Sequence, residues 1–173
     1  MRDVVLNLAI TLDSYIARPD GAVDYLFMPE DYPMADFLAT VDTVVMGRKT
    51  LDSALSLGGD PFCGMSMETY VFSRCHPAGE RHGVVFVNQS PAEWMDRIRE
   101  RPGKRIWLMG GGELAGEFLR ADLVDDMELS IVPILHGEGI PLFPTGFPQR
   151  DFVLVESRTY SKGLVSLKYQ RCR

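Results

Sequence analysis

The chain has 173 residues, 46% of them hydrophobic and 24% charged, with a formal net charge of −6 and a pI near 5.0. That size and balance allow a substantial core without disulfides or a structural metal and exclude wholesale disorder, while the acidic charge disfavours nucleic acid and leaves room for a local cationic pocket. No run reaches the roughly 18 apolar residues of a membrane span, the N-terminus enters a strand pattern instead of a signal peptide, and Cys63, Cys75 and Cys172 form no CxxC pair, so the expectation is a reducing cytoplasm.

In chain order, Val4 to Ile10 reads as a strand buried on both faces, interrupted by one amide at Asn7. Pro19-Asp20-Gly21 is a turn signal. Asp31 to Thr40 reads as a helix with Asp31 as N-cap, Pro33 in the first turn, and Ala35, Phe37 and Leu38 turned inward. Thr43 to Met46 is a second core strand, and Gly47-Arg48-Lys49-Thr50 opens the helix after it, so a strand feeds glycine and cations into a helix N-terminus. Gly58 to Glu68 is a loop rich in glycine. Tyr70 to Phe72 and Val84 to Val87 are short strands, the first ending at Ser73-Arg74. Ser90, Pro91 and Glu93 form a capping-box arrangement for a helix with Trp94 and Ile98 inside.

Arg105 to Leu119 is the most informative stretch. A buried strand breaks into Gly110-Gly111-Gly112 and turns straight into a helix, which leaves unpaired N–H groups and the positive end of a dipole aimed at whatever sits above. This suits a phosphate. It is not a Rossmann fingerprint, because no GxGxxG is present and the glycines lie late in the chain. Met127 to Ile131 reads as a strand with one wetter face, and Asp125-Asp126 as its solvated entry. His136 sits in a turn-rich connection and is expected to make a structural hydrogen bond. Phe152 to Thr159 and Leu164 to Gln170 close the chain as a hairpin around Ser161-Lys162-Gly163.

Five pieces in this order, LAITLDSYIA, VVMGRKT, VFSR, WLMGGGELAGEFL and DDMELSIVPILHGEGIPLFP, resemble the dihydrofolate reductase superfamily, and within it the RibD C-terminal reductase domain of riboflavin biosynthesis and its stand-alone bacterial relatives. The resemblance implies one α/β domain over residues 1–173: three layers, a mixed, mostly parallel eight-stranded sheet with helices on both faces, and an antiparallel C-terminal hairpin. It implies an oxidoreductase that uses NADPH to pass a hydride to a small pteridine- or pyrimidine-like heterocycle, and a homodimer. By position, Gly47, Arg48 and Thr50 match a phosphate-binding turn, with Arg48 at the 2′-phosphate. Ser73 and Arg74 match the adenosine ribose and its phosphate. Gly110, Gly111 and Gly112, with the N–H groups of Glu113 and Leu114, match the pyrophosphate loop, and Ala9 and Ile16 match the nicotinamide end.

The proton source is open between Asp31 and Asp24, with Asp36 a further rival; Asp31 reads equally as a helix cap. Tyr25 and Phe27 are the aromatics of the first loop, and either stack on a planar ring or belong to the core, with the core the reading taken for Phe27. Between Ala17 and Asp42 the only basic side chain is Arg18, which counts against a phosphorylated substrate in that segment. No zinc deaminase motif is present. Two other readings stand beside the general reductase: the 5-amino-6-(5-phosphoribosylamino)uracil reductase of riboflavin synthesis, and a nucleotide-binding module without catalysis.

Overall fold

The computed structural model describes residues 1–56 and 67–172. Of the loop expected from Gly58 to Glu68, residues 58–66, with Cys63, lie outside them, and Glu68 begins a strand. In chain order the elements are β1 (Val4–Thr11), β2 (Tyr15–Ala17), α1 (Met34–Leu38), β3 (Val41–Gly47), α2 (Arg48–Ser56), β4 (Glu68–Phe72), β5 (Gly79–Arg81), β6 (Val84–Val87), α3 (Pro91–Ile98), β7 (Arg105–Gly110), α4 (Gly112–Arg120), β8 (Asp126–Val132), β9 (Ile140–Pro141), β10 (Phe152–Thr159) and β11 (Val165–Arg171). Among the described residues, nine strands form one sheet in the order β10-β11-β8-β1-β7-β3-β4-β6-β5, and β2 pairs with β9.

The centre of the sheet is parallel from β8 through β1, β7, β3 and β4 to β6. Its two margins are antiparallel, made by the β10-β11 hairpin on one side and β5 on the other. This is the mixed, mostly parallel α/β architecture expected, with one strand more than the expected eight. The addition is β5, whose three exposed residues carry no apolar alternation to announce it.

Helices cover both faces. On one side α3 and α4 press Trp94, Met95, Ile98, Leu114, Phe118 and Leu119 onto Val4, Leu6, Ile106 and Leu108. On the other, Phe37 of α1 and Leu51 of α2 pack with Val5, Val44, Met46 and Trp107. The side chains of Trp94 and Phe118 are almost wholly buried, and each such burial contributes about 1.5–3 kcal/mol, against 0–1 kcal/mol for an exposed ion pair. The two apolar layers therefore hold a sheet whose parallel central strands bring their carboxyl ends to one edge. The capping box of α3 forms as expected: the Ser90 hydroxyl accepts the Glu93 N–H and the Glu93 carboxylate accepts the Ser90 N–H.

Three local expectations are corrected. Helix α1 spans only Met34–Leu38, its N-cap is Pro33, and Ala35 is exposed while Met34 packs against the core; Asp31 lies too far upstream to cap it. The polar side of strand β8 is not solvated: Glu128 and Ser130 are both buried, Glu128 paired with Arg105 at 3.0 Å and Ser130 under the Tyr32 hydroxyl. Asp125 is likewise buried, ion-paired to Arg99 at 2.5 Å and accepting the Val4 N–H at 2.9 Å, so the strand entry is an internal pair and not a solvated one.

Candidate functional site

The carboxyl ends of β1, β3, β4, β6 and β7 open onto one cleft of about 1680 Å³, the place where open α/β sheets bind ligands. Its walls differ from end to end. At one end the rim is built by the first turn of α2 (Arg48, Lys49, Thr50), by Ser73, Arg74 and Cys75 after β4, by Asn88 to Ala92 after β6, and by the start of α4. At the other end the walls are Leu26, Phe27, Met28, Pro29, Met34, Trp107, Met109 and Leu164, with Asn7, Tyr32 and Ser130 as polar members.

Cations gather at the first end because two strands finish there beside a helix start. Arg48 pairs with Asp52 of its own helix. Arg74 lies 3.5 Å and Lys49 3.8 Å from the carboxylate of Glu113, so residues from α2, from the β4 exit and from α4 meet on one acidic group. These side chains are largely exposed, and solvent screens the pairs. Lys49, read from the sequence as a cation of the GRKT turn but given no role in the site, joins Arg48 on this rim. The first-turn N–H groups of α4 at Gly112, Glu113 and Leu114 precede the helix's own acceptors. Gly111, joined to Gly110 by a cis peptide bond, is where the rim converges: a Cβ there would lie 3.4 Å from Thr50 Oγ1 and 3.8 Å from Ile16 Cδ1. A Cβ on Gly112 would collide with the carbonyl oxygen of Pro141. Bare backbone is required on this strand-to-helix turn.

Of the residues expected at a cofactor, Ala9, Ile16, Gly47, Arg48, Thr50, Ser73, Arg74, Gly111, Gly112, Glu113 and Leu114 all line this cleft. Gly110, with φ of +110°, shapes the turn from behind and is not among the lining residues. Ile16 is carried toward the middle by β2, which β9 holds down through the register Tyr15 to Pro141. The β1–β2 turn is fixed by Asp13, whose carboxylate accepts the Thr11 hydroxyl at 2.6 Å and the N–H groups of His136 and Gly137. Those bonds, the Thr11 hydroxyl foremost, lower its pKa from 3.8 to about 2.

The two carboxylates expected to supply a proton sit elsewhere. Asp24 is held by Arg18 at 2.6 and 3.1 Å. Asp31 accepts the Ser161 hydroxyl at 2.8 Å and the Ser161 N–H at 3.0 Å. Neither lines the cleft, and both pKa values are lowered, by the Arg18 side chain for Asp24 and by the Ser161 side chain for Asp31. A group that donates a proton at neutral pH needs the opposite shift. Asp36 is exposed and also lies off the lining.

The neighbour of Asp31 takes the place at the cleft wall. Tyr32 lines the apolar end, its phenol oxygen accepting from Ser130 Oγ at 3.1 Å and its ring lying 5.0 Å from that of Tyr160. With Asp31 on Ser161 and Lys162 set 5.5 Å over the Phe27 ring, the β10–β11 turn clamps the segment that roofs this end. Phe27 therefore faces the cleft, and Tyr25 is the buried one, its ring edge-on to His136 at 4.3 Å. His136 makes the expected structural hydrogen bond through its backbone N–H, which donates to Asp13 at 3.0 Å, while its ring makes the contact with Tyr25 and neither ring nitrogen has a hydrogen-bond partner among the described residues. His76 bonds Ser73 Oγ at 2.9 Å and stacks on Phe86. Among the described residues no group of three potential ligands could hold a metal ion, and no helix is long and apolar enough to cross a membrane.

Comparison with known proteins agrees with this architecture. Residues 65–166 match the family described as the RibD C-terminal domain. The Bacillus subtilis (strain 168) protein named uncharacterized protein YyaP is 35% identical over 97% of this chain and 94% of its own length. The crystal structure of a putative riboflavin biosynthesis protein from Shewanella sp. PV-4 superposes with a TM-score of 0.87 at 28% identity, covering 100% of both chains. The Thermotoga maritima diaminohydroxyphosphoribosylaminopyrimidine deaminase/5-amino-6-(5-phosphoribosylamino)uracil reductase superposes at 0.74 over 99% of this chain and 57% of that one; at 17% identity it shares the fold alone.

Proposed function

The chain belongs to the RibD C-terminal domain family, and from that premise we propose that residues 1–173 form one NADPH-dependent reductase domain that passes a hydride to a small heterocycle. The observation that carries the reading is the convergence of Arg48, Lys49, Thr50, Ser73, Arg74 and the bare turn at Gly111-Gly112 on the rim of one cleft whose far end is apolar. The residues fit the dinucleotide. Its phosphates suit the guanidinium and ammonium groups and the α4 amides, with Asp52 and Glu113 paired to those cations.

The bound NADPH would supply hydride from its reduced nicotinamide. The protein's part is positional. Arg48 and Arg74 select the 2′-phosphate, and Gly47, Gly111 and Gly112 let backbone approach the pyrophosphate, with Gly110 setting the turn and the Glu113 and Leu114 amides donating. Ala9 and Ile16 bound the nicotinamide end, while Trp107, Met109, Phe27 and Leu164 exclude water from the acceptor. The Tyr32 hydroxyl, held by Ser130, is the protic group beside that acceptor, a place assigned neither to Asp31 nor to Asp24. We place the enzyme in the cytoplasm and assign a homodimer, with the edge strand β10 as the shared face: its Val153, Leu154 and Val155 are 57%, 49% and 65% exposed.

Family membership favours the 5-amino-6-(5-phosphoribosylamino)uracil as substrate over a folate. Among the described residues no basic side chain lines the apolar end, so the sugar phosphate would extend toward Lys162 at its mouth. Turnover separates the readings. Loss of reduced-nicotinamide absorbance with the ribosylaminopyrimidine and none with dihydrofolate supports the riboflavin-type reaction. Turnover of neither, with NADPH bound, would reduce the chain to a nucleotide-binding module.

A further inference from the structure

Asn7 breaks an otherwise apolar strand, Val4-Val5-Leu6-Asn7-Leu8, at the centre of the sheet. It is 6% exposed, lines the cleft, and among the described residues its Nδ2 has no hydrogen-bond partner. Its backbone carbonyl is occupied by the Trp107 indole N–H at 2.9 Å, which fixes the adjoining wall without satisfying the side chain. An apolar residue would continue the strand and avoid burying an unpaired amide. The amide is therefore explained by something that enters the cleft.

We propose that the Asn7 carboxamide reads the lactam edge of the substrate ring, its NH2 donating to the ring carbonyl and its Oδ1 accepting the adjacent ring N–H. This deepens the reductase reading and rests on it. A carboxamide and a lactam are complementary donor–acceptor pairs, and a half-turn about the terminal bond of asparagine exchanges the two atoms, so either orientation of the edge can be matched. The neighbouring groups agree with a neutral planar ring. Trp107 and Met109 flank Asn7 on the floor, and Tyr32 presents a hydroxyl already supported by Ser130. Trp107, Met109, Phe27 and Leu164 carry no charge, so beside Asn7 shape and paired hydrogen bonds are left to choose the ring. The ligand class is an oxopyrimidine or oxopteridine carrying a free –CO–NH– edge.

The test uses lumazine, its di-N-methyl derivative and aminouracil, titrated into the full chain with and without NADP+. Lumazine binding that weakens about tenfold to a hundredfold in Asn7→Leu, the worth of two neutral hydrogen bonds, is the expected result. The di-N-methyl compound should bind the unaltered protein no better than lumazine binds Asn7→Leu. The same substitution should leave NADPH affinity within about twofold and raise Tm by roughly 3 °C, because a buried unpaired amide is gone. Asn7→Asp, the same shape without the donor, should lose lumazine as well. Stronger binding of aminouracil than of lumazine assigns a single ring, and the reverse a fused one. Equal lumazine binding by all variants, or a protein that binds NADPH but no lactam, overturns the assignment and leaves the reductase intact. Failure to bind NADPH overturns the cofactor reading alone, since the lumazine arm without cofactor still reports on Asn7.

Discussion

The two ends of the cleft solve opposite problems with opposite materials. At the cationic end the groups that matter are exposed side chains and backbone N–H groups brought together by the β3–α2 and β7–α4 turns and by the exit of β4, and the cations are partnered by the carboxylates of Asp52 and Glu113. At the apolar end one buried amide and one hydroxyl pair stand among Trp107, Met109, Phe27 and Leu164. A polyanion of fixed geometry is held by many screened contacts, each worth little alone. A small neutral ring is chosen by a few unscreened ones. Substitutions at the cationic end should accordingly move cofactor affinity, and those at the apolar end substrate affinity, with little crossing between them.

The sharpest break is at Gly112. In Gly112→Ala the new methyl meets the backbone carbonyl of Pro141, and that of Leu142 at 3.4 Å, neither of which can rotate away. The expected cost is about 3 kcal/mol, with NADPH binding lost and lumazine binding weakened only as far as the fold loosens. Wild-type thermal stability in this variant would show that the turn is not packed as described.

Next comes Arg48→Ala. It should weaken NADPH about tenfold to a hundredfold, the value of a charge-assisted contact, and leave NADH and lumazine affinities nearly unchanged. Equal losses for the two cofactors would put Arg48 somewhere other than the 2′-phosphate.

At the opposite end, Tyr32→Phe removes one neutral hydroxyl. Substrate affinity or turnover should fall about fivefold, without effect on the NADPH titration. A matching loss of NADPH would join the two ends into one site.

The smallest effect is expected at the hinge between them. The Asp13 carboxyl, lowered from 3.8 to about 2 by the Thr11 hydroxyl and the Gly137 and His136 N–H groups, contributes stability that is present above pH 3.8 and lost as pH falls through about 2. In Asp13→Asn the Tm should therefore lie below that of the wild type at neutral pH, and the gap should close on acidification. A gap that is independent of pH would remove the charge from the explanation.

The sequence made some of this legible and hid the rest for physical reasons. Elements with their own local code were readable: the Ser90 capping box, the apolar run of β1, and the strand that breaks at Gly110-Gly111-Gly112. Elements defined by distant partners were not. Strand β9 is two residues long and exists through β2, β5 through β6. Asp31 looked like a helix cap because its true partner, Ser161, lies 130 residues away in sequence. The exchange of roles between Tyr25 and Phe27 follows from the contact with His136 and the clamp by Lys162, neither visible in the loop itself. Asn7 did leave a signal, a lone amide in a buried strand, but only the cleft gives it a purpose. Tyr32 and Ser130 left none, since their meeting joins residues 98 positions apart.

The central claim is that one phosphorylated dinucleotide occupies the cationic end. Titration of the purified chain with NADPH and with NADH, followed by nicotinamide fluorescence, tests it most directly. The account predicts saturable NADPH binding below about 100 μM, within the ordinary range for such enzymes, and distinctly weaker NADH. An intact, folded chain that binds neither at that concentration would contradict it.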